Sequence, residues 1–384
     1  MLKKISYMTA GESHGKGLIG IIEGIPAGMN LTEEYIAKDL IRRMQGHGRG
    51  GRMKIEKDYA EIFSGVRHAV TLGSPISLLI KNLDWVNWED RMAVGTPEKE
   101  HRKVTMPRPG HADLAGTLKY DFDDIRNVIE RSSARETTMR VALGSICRKL
   151  LEDCNIYVGS YVDCIHNIED SNSYSDYNAK KINELADQSN LRVLDSSIEI
   201  KMIEAIKKSQ NNKDTVGGKF KVIVSGLPYG LGSYRTWNSK LNAQLSEAIL
   251  SINAIKSIEF GLKSASDLYG SQLHDEIGYK KNKFIRFSNN AGGIEGGMSN
   301  AQSIIINASM KPLSSLSKPL KSVNIDSLES DLAHKERTDS CAVPAASVIA
   351  ESMTCLVIAN ALLDKFGGDS MKQLHAHIKQ SAKY

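Results

Sequence analysis

Apolar and polar positions change period several times along this chain, and each change marks an element. Between residues 5 and 25, glycine-rich turns separate short apolar runs such as Leu18-Ile19-Gly20-Ile21-Ile22, which predicts strands. Helical spacing follows at Ile36, Leu40, Ile41 and Met44, with Thr32 as cap and Gly46 as stop. Arg42 and Arg43 fall in its last turn, where cations suit the helix dipole. Residues 74–80 read as another strand. A longer helix is predicted from Asp123 or Asp124 through Ile125, Val128 and Ile129 to Val141, Ala142, Ile146 and Leu150. Further on, a strand at 220–224 leads into the turn cluster at 226–230, a helix covers about 239–252, and the strongly apolar stretch 345–366 reads as a buried helix. Residues 165–215 are rich in Asn, Ser, Asp and Lys, hold a helix near 196–209 and carry no chemical motif; they read as a peripheral insertion. No internal repeat or linker is visible, so residues 1–384 are expected to form a single domain.

Composition narrows the class. A chain of 384 residues with 41% apolar side chains can bury a large core, and a charged fraction of 25% excludes a disordered or fibrous protein. No apolar run is expected to reach the roughly 18 residues that cross a bilayer, and Lys3-Lys4 is followed by no apolar stretch of a secretory signal. The five cysteines form no C-x-x-C pair, which argues against a disulfide framework or a zinc site and for the cytoplasm; no metal site is expected. A net charge of +5 is too small to indicate nucleic acid. The arginines are more informative: twelve of seventeen precede residue 141, with Arg42, Arg43, Arg49 and Arg52 in a group. Their planar donor forks suit phosphate or carboxylate, against the alternative of scattered surface charge.

Two short patterns fail on context. Gly46-His47-Gly48-Arg49-Gly50-Gly51 satisfies G-x-G-x-x-G, but it follows a helix instead of opening one, so no pyrophosphate would meet a helix N-terminus. Gly11 to Lys16 imitates a P-loop one residue short, with Gly17 where Ser or Thr belongs. The glycine–arginine stretch also resembles an RNA-binding segment, yet it does not recur, and aromatics such as Tyr59, Trp85 and Trp88 are sparse; no nucleic-acid partner is expected.

Other features carry chemistry. His14 lies on a glycine-flanked turn. Arg108-Pro109-Gly110-His111-Ala112-Asp113 sets a histidine beside an aspartate on a rigid loop. Both histidines are candidate proton donors or acceptors, with a structural role as the alternative. Asn289 to Ser299 is glycine-rich enough for close backbone approach to a flat or phosphorylated ligand, and Lys311-Pro312-Leu313-Ser314-Ser315 follows it. The run Glu130-Arg131-Ser132-Ser133-Ala134-Arg135-Glu136-Thr137 admits two readings: a solvated, ion-paired helix face, or a wall of small residues that a ligand approaches closely.

Taken in order, Ala10-Gly11-Glu12-Ser13-His14-Gly15, Arg108 to Leu114, Glu130 to Thr137, Asn290 to Met298 and Arg337-Thr338-Asp339-Ser340-Cys341-Ala342-Val343-Pro344 resemble the chorismate synthases over nearly the whole chain, least at 165–215. The resemblance implies an α+β fold, a β-α-β sandwich with a helical core between antiparallel sheets, and a homotetramer. It implies a lyase that eliminates phosphate from 5-enolpyruvylshikimate 3-phosphate in an anti 1,4 sense, giving chorismate for aromatic amino-acid biosynthesis, with reduced FMN and no net redox change. By position, it assigns His14, His111 and Asp339 to catalysis. Flavin contacts fall on Arg131, Ser132, Ser133, Asn253, Ala254, Gly296, Lys311, Pro312, Leu313, Ser314, Ser315 and Arg337. Arg43, Arg49, Arg108 and Arg135 become clamps for the anionic substrate, Arg43 and Arg49 alternatively for NADP. NADPH, or an external flavin reductase, is the implied source of reducing power. Tyr120-Asp121 and Asp214-Thr215-Val216-Gly217-Gly218 depart from common family wording without touching an assigned residue. A binding-only flavoprotein and an NADP-dependent oxidoreductase are the competing readings.

Overall fold

The computed structural model describes residues 2–48, 58–336 and 339–381. Its first sheet holds β1 (Ser6–Ala10), β2 (Gly17–Glu23), β3 (Glu61–Ser64) and β6 (Ile76–Lys81) in the order β1-β2-β6-β3, all antiparallel, with the small hairpin β4 (Val66–Arg67) and β5 (Val70–Thr71) beside it. Strand periodicity sets its faces: Leu18 and Ile22 of β2 and Ile76, Leu78 and Ile80 of β6 are buried, whereas Ile19 and Ile21 look outward. A second antiparallel sheet combines β7 (Tyr157–Ile165), β8 (Ile168–Glu169), β9 (Gly218–Ser225), β11 (Ile255–Phe260) and β16 (Ile304–Met310) in the order β11-β16-β9-β7-β8. Shorter pieces complete it: β10 (Tyr229–Gly232) with β14 (Ile294–Glu295) and β15 (Met298–Asn300), the hairpin β12 (Ile277–Lys280) and β13 (Lys283–Arg286), and the pair β17 (Lys321–Val323) and β18 (Ser330–Leu332).

Between the two main sheets lie the helices α1 (Glu33–Met44), α4 (Thr137–Asp153), α7 (Leu241–Leu250) and α9 (Val343–Phe366). α4 packs on β2 and β6, α9 packs on β7 and β9, and the two helices pack on each other. This is the α+β sandwich of sheet, helices and sheet. Gly144 permits the α4–α9 contact, because a Cβ there would stand 2.5 Å from Ser352 Cβ and 2.7 Å from its carbonyl oxygen. The remaining helices are α2 (Asp113–Tyr120), α3 (Arg126–Ser132), α5 (Ala179–Ala186), α6 (Ser196–Asn211), the single turn α8 (Gly270–Leu273) and α10 (Met371–Ser381). Thr32 caps α1 as predicted, its hydroxyl accepting the Tyr35 N–H.

Three expectations need revision. α9 is, by length and composition, long and apolar enough to cross a membrane, but that stretch lies wholly inside the protein. The 165–215 segment, expected at the periphery, sends Leu191, Val193, Met202 and Ile206 into the main core. Arg42, read as part of an anion-binding group, is committed elsewhere. Glu351, fully buried in mid-α9, accepts hydrogen bonds from Arg42 at 2.9 Å, Arg148 at 2.6 Å and Arg192 at 3.0 Å. Asp39 bridges Arg42 and Arg148 at 2.7 Å each. Four parts of the chain, α1, α4, α9 and the segment after α5, thus meet at one ionic cluster.

Burial alone would push the Glu351 carboxyl up, but the three guanidinium groups outweigh it and hold it well below its ordinary 4.5. A depressed carboxylate contributes stability that is fully present above its unfolded value and is lost as pH falls toward the folded one. Stability is therefore expected to decline below about pH 4.5. Glu351→Ala leaves the arginines without their shared carboxylate and is expected to cost about 3–5 kcal/mol, read from the urea midpoint at neutral pH. A loss below 1 kcal/mol would show that the cluster does not hold the helices together.

Candidate active site

The predicted long helix is interrupted where its sequence turns small and polar. α3 stops at Ser132, Ser133 is extended (φ −64°, ψ 143°), and one 3-10 turn at Ala134–Glu136 leads into α4. Ser133 Oγ accepts the Arg135 N–H at 3.3 Å, a local bond that competes with the helical ladder. The break leaves Ser132, Ser133 and Ala134 lining a cavity of about 950 Å³. The ligand-approach reading of the 130–137 run is thus the one that fits.

Other segments are tied to this floor. After α7, Asn253 Nδ2 donates to the Ser132 carbonyl at 3.0 Å, and the Lys311 N–H donates to the Ala254 carbonyl at 3.0 Å. Lys311 Nζ donates to the Gly110 carbonyl at 2.5 Å, joining the 311–315 strap to the loop bearing His111. Ser315 accepts from Arg108 at 2.8 Å. The first turns of α9 add Ala342, Ala345, Ala346 and Ile349.

Each histidine is buttressed by a carboxylate. The turn after β1 is closed by Gly11, at φ +109°, where a Cβ would lie 2.4 Å from the Gly17 carbonyl oxygen. His14 beyond it is buried, and its Nδ1 donates to Glu130 at 2.9 Å while its backbone N–H donates to the same carboxylate at 2.8 Å. That fixes Nε2 as the nitrogen left for proton transfer. Burial raises Glu130, but the His14 bonds and Arg126 outweigh it and leave it below its ordinary value. His111 Nδ1 donates to Asp113 at 2.6 Å, and Asp113, at the start of α2, also accepts from Arg108 Nε at 2.8 Å. Its fully buried carboxyl is pushed up by burial yet held well below the usual range by His111 and Arg108.

The cationic lining is equally built in. Arg135 donates to Asn82 Oδ1 at 2.9 Å and pairs with Asp58. Arg43 donates to Thr137 Oγ1 and to the Ala134 carbonyl, both at 2.9 Å, and stands 3.9 Å from the other oxygen of Asp58. Arg43 and Arg135 thus meet at the Asp58 carboxylate, and their planar donor forks suit an anion. Lys311 and Lys335 line the same cavity, as do Glu336 and Asp339.

Of the residues assigned from the sequence, His14, His111, Asp339, Arg43, Arg108, Arg135, Ser132 and Ser133 meet at this cavity. Asn253, Ala254, Lys311, Leu313, Ser314 and Ser315 join them there. Pro312 lies in the strap without lining the cavity. Arg131 is turned away, donating to the Thr9 carbonyl at 2.8 Å and the Gly11 carbonyl at 3.1 Å. Gly296 occupies the turn between β14 and β15, away from the cavity. Arg49 and Arg337 lie outside the described residues. Sequence reasoning missed Glu130 as the His14 partner and Asp58 and Asn82 as arginine holders. Asp113, two residues from His111, did carry a signal; Glu130, 116 residues from His14, carried none.

Comparison with known proteins places this geometry. The family model for chorismate synthase matches residues 5–363. A chorismate synthase of Enterococcus faecalis is 50% identical over 383 residues, covering 98% of each chain, and one of Alkaliphilus metalliredigens is 51% identical over 369 residues, covering 96% of each. A crystal structure of chorismate synthase superposes with a TM-score of 0.81 at 36% identity, covering 100% of this chain and 98% of that one. The chain belongs to the chorismate synthase family.

Proposed function

We propose that the 950 Å³ cavity is where this lyase eliminates phosphate from 5-enolpyruvylshikimate 3-phosphate, with reduced FMN as the flavin. The observation that carries the reading is the pair of carboxylate-buttressed histidines, His14–Glu130 and His111–Asp113, lining one cavity with Arg43, Arg108 and Arg135. Membership of the family makes the reaction a carbon–oxygen lyase step of the shikimate pathway and brings a general requirement for reduced flavin. A ring the size of a flavin's needs a flat wall of small groups, and Ser132, Ser133, Ala134, Ala345 and Ala346 supply one. Lys311 is the cation we assign to the flavin phosphate, with Ser314 and Ser315 as hydroxyl donors. When bound, reduced FMN supplies an electron that is returned within the turnover, so no reductant is consumed.

The residues divide the remaining work. Arg43 and Arg135 hold the substrate's anionic groups; we assign both to substrate rather than to NADP, because each is fixed by buried partners at the break between α3 and α4. By position, Arg49 joins them and Arg337 is assigned to the flavin. His14 Nε2 donates a proton to the departing phosphate, and Glu130 stabilises the imidazolium before transfer. His111 holds the flavin in its productive protonation state, oriented by Asp113. Asp339 assists proton removal at flavin N5. NADPH, through this chain or a separate flavin reductase, keeps the flavin reduced. We assign a homotetramer in the cytoplasm; the apolar outer face of the first sheet, with Met8, Ile19, Ile21 and Phe63 exposed, supports association.

Under anaerobic conditions with chemically reduced FMN, chorismate and phosphate are expected in equal amounts with the flavin unspent, and neither with oxidised FMN. FMN binding without either product would leave a binding-only protein. His14→Ala and His111→Ala are each expected to lower turnover about 10²-fold or more; near-normal turnover at saturating FMN removes that residue from the scheme. Lys311→Ala is expected to weaken FMN binding, measured by flavin fluorescence titration, and unchanged affinity would overturn its assignment.

A further inference from the structure

One aromatic side chain next to the cavity has no part in the scheme above. Trp88 stacks on the His14 imidazole with ring centroids 3.8 Å apart and planes 25° from parallel. Its own seat is specific. It closes the 3-10 turn Leu83–Asn87, its backbone N–H donating to the Trp85 carbonyl at 2.7 Å and its indole N–H to Asp84 at 3.3 Å. Asp84 is buried and is itself held by Asn87 at 2.7 Å.

The same segment grips the His14 turn at a second point. Asn82 Nδ2 donates to the Gly15 carbonyl at 2.6 Å, so residues 82–88 hold both the backbone of the turn and the ring it carries. A hydrogen bond from Nδ1 to Glu130 fixes one edge of the imidazole but leaves its tilt about that bond soft. A face-on stack removes that freedom, because displacement of either ring loses contact over its whole face.

The charges around the stack balance in the same region. Arg126 packs over Trp88 at 5.5 Å and donates to Glu130 at 3.3 Å and to Glu336 at 2.8 Å. Arg91 also packs over Trp88 at 5.5 Å.

We propose that Trp88 is a positioning residue for His14, fixing the imidazole plane so that Nε2 meets the leaving phosphate. The proposal rests on the assignment of His14 as proton donor. Trp88→Leu is expected to lower kcat on the order of 10- to 100-fold, the scale of a misplaced catalytic group, with the KM for 5-enolpyruvylshikimate 3-phosphate little changed. Trp88→Phe, which keeps an aromatic face, is expected to restore most of that loss. A kcat within twofold of wild type for a folded Trp88→Leu protein would overturn the proposal, as would a Phe variant no better than Leu.

A second readout needs no turnover. With Trp85→Phe and Trp237→Phe combined, Trp88 is the one remaining indole. Its emission is expected to change on His14→Gln in that background, since an imidazole in face contact quenches indole and the substitution removes it. Emission left unchanged by the loss of His14 would overturn the stack. The two readings fail separately: normal turnover in His14→Ala removes the proton-donor assignment, and with it the positioning role, while the emission change still reports the stack.

Discussion

The carboxylate of Glu351 sits in the middle of the longest helix with no access to water, and the layers of the fold meet around it. An isolated ion there would be prohibitively costly, so its presence requires Arg42 from α1, Arg148 from α4 and Arg192 from the segment after α5 to arrive together. Apolar packing between helices is tolerant of small slips along their axes. Bidentate guanidinium–carboxylate bonds are not, and this cluster gives the α1–α4–α9 core a single register. Because Ala345, Ala346 and Ile349 lie within two turns of Glu351, the same register decides where the helical wall of the cavity stands.

From that fixed core the site is produced by an interruption. α4 is locked by Arg148 near its C-terminal end, while its N-terminal end begins one 3-10 turn after extended Ser133. At the break the Ala134 carbonyl, which accepts the Thr137 N–H in the 3-10 turn, also accepts from Arg43, and Arg135 turns toward Asn82 and Asp58. Arg43 and Arg135 meet at Asp58 where the helix fails at a small, polar stretch.

Much of this was legible in the sequence. Strand and helix periodicity located β1, β2, β6 and β9 and the core helices, since apolar spacing of 2 or 3.6 records which face is covered, but β3, β7, β8, β11 and β16 went unread. The histidine loops and small-residue run were visible because turn residues and reactive side chains stood adjacent. What stayed hidden has one cause: partners far apart in the chain. Arg42 and Arg43 are neighbours, yet one serves Glu351, 309 residues away, and the other lines the cavity. Helical geometry turns adjacent residues about 100° apart, and nothing local says which face meets a buried acid. The 165–215 segment looked peripheral because its composition is polar, but four apolar residues and Arg192 suffice to insert it into the core.

The two histidine–carboxylate pairs show how differently such contacts are secured. His111 and Asp113 share one tight loop, with Arg108 closing it, so that pair is specified by six consecutive residues and survives any adjustment of the layers around it. The His14 pair joins a turn of the first sheet to α3, and its alignment depends on two elements docking correctly. A long-range pair needs further constraint to hold an angle as well as a distance. The 82–88 segment is placed to give it, because it leaves the sheet at β6 beside the turn it grips. The exposure of the two side chains, 9% for His14 and 19% for His111, follows the same division between a histidine fixed by surrounding packing and one fixed by its own loop.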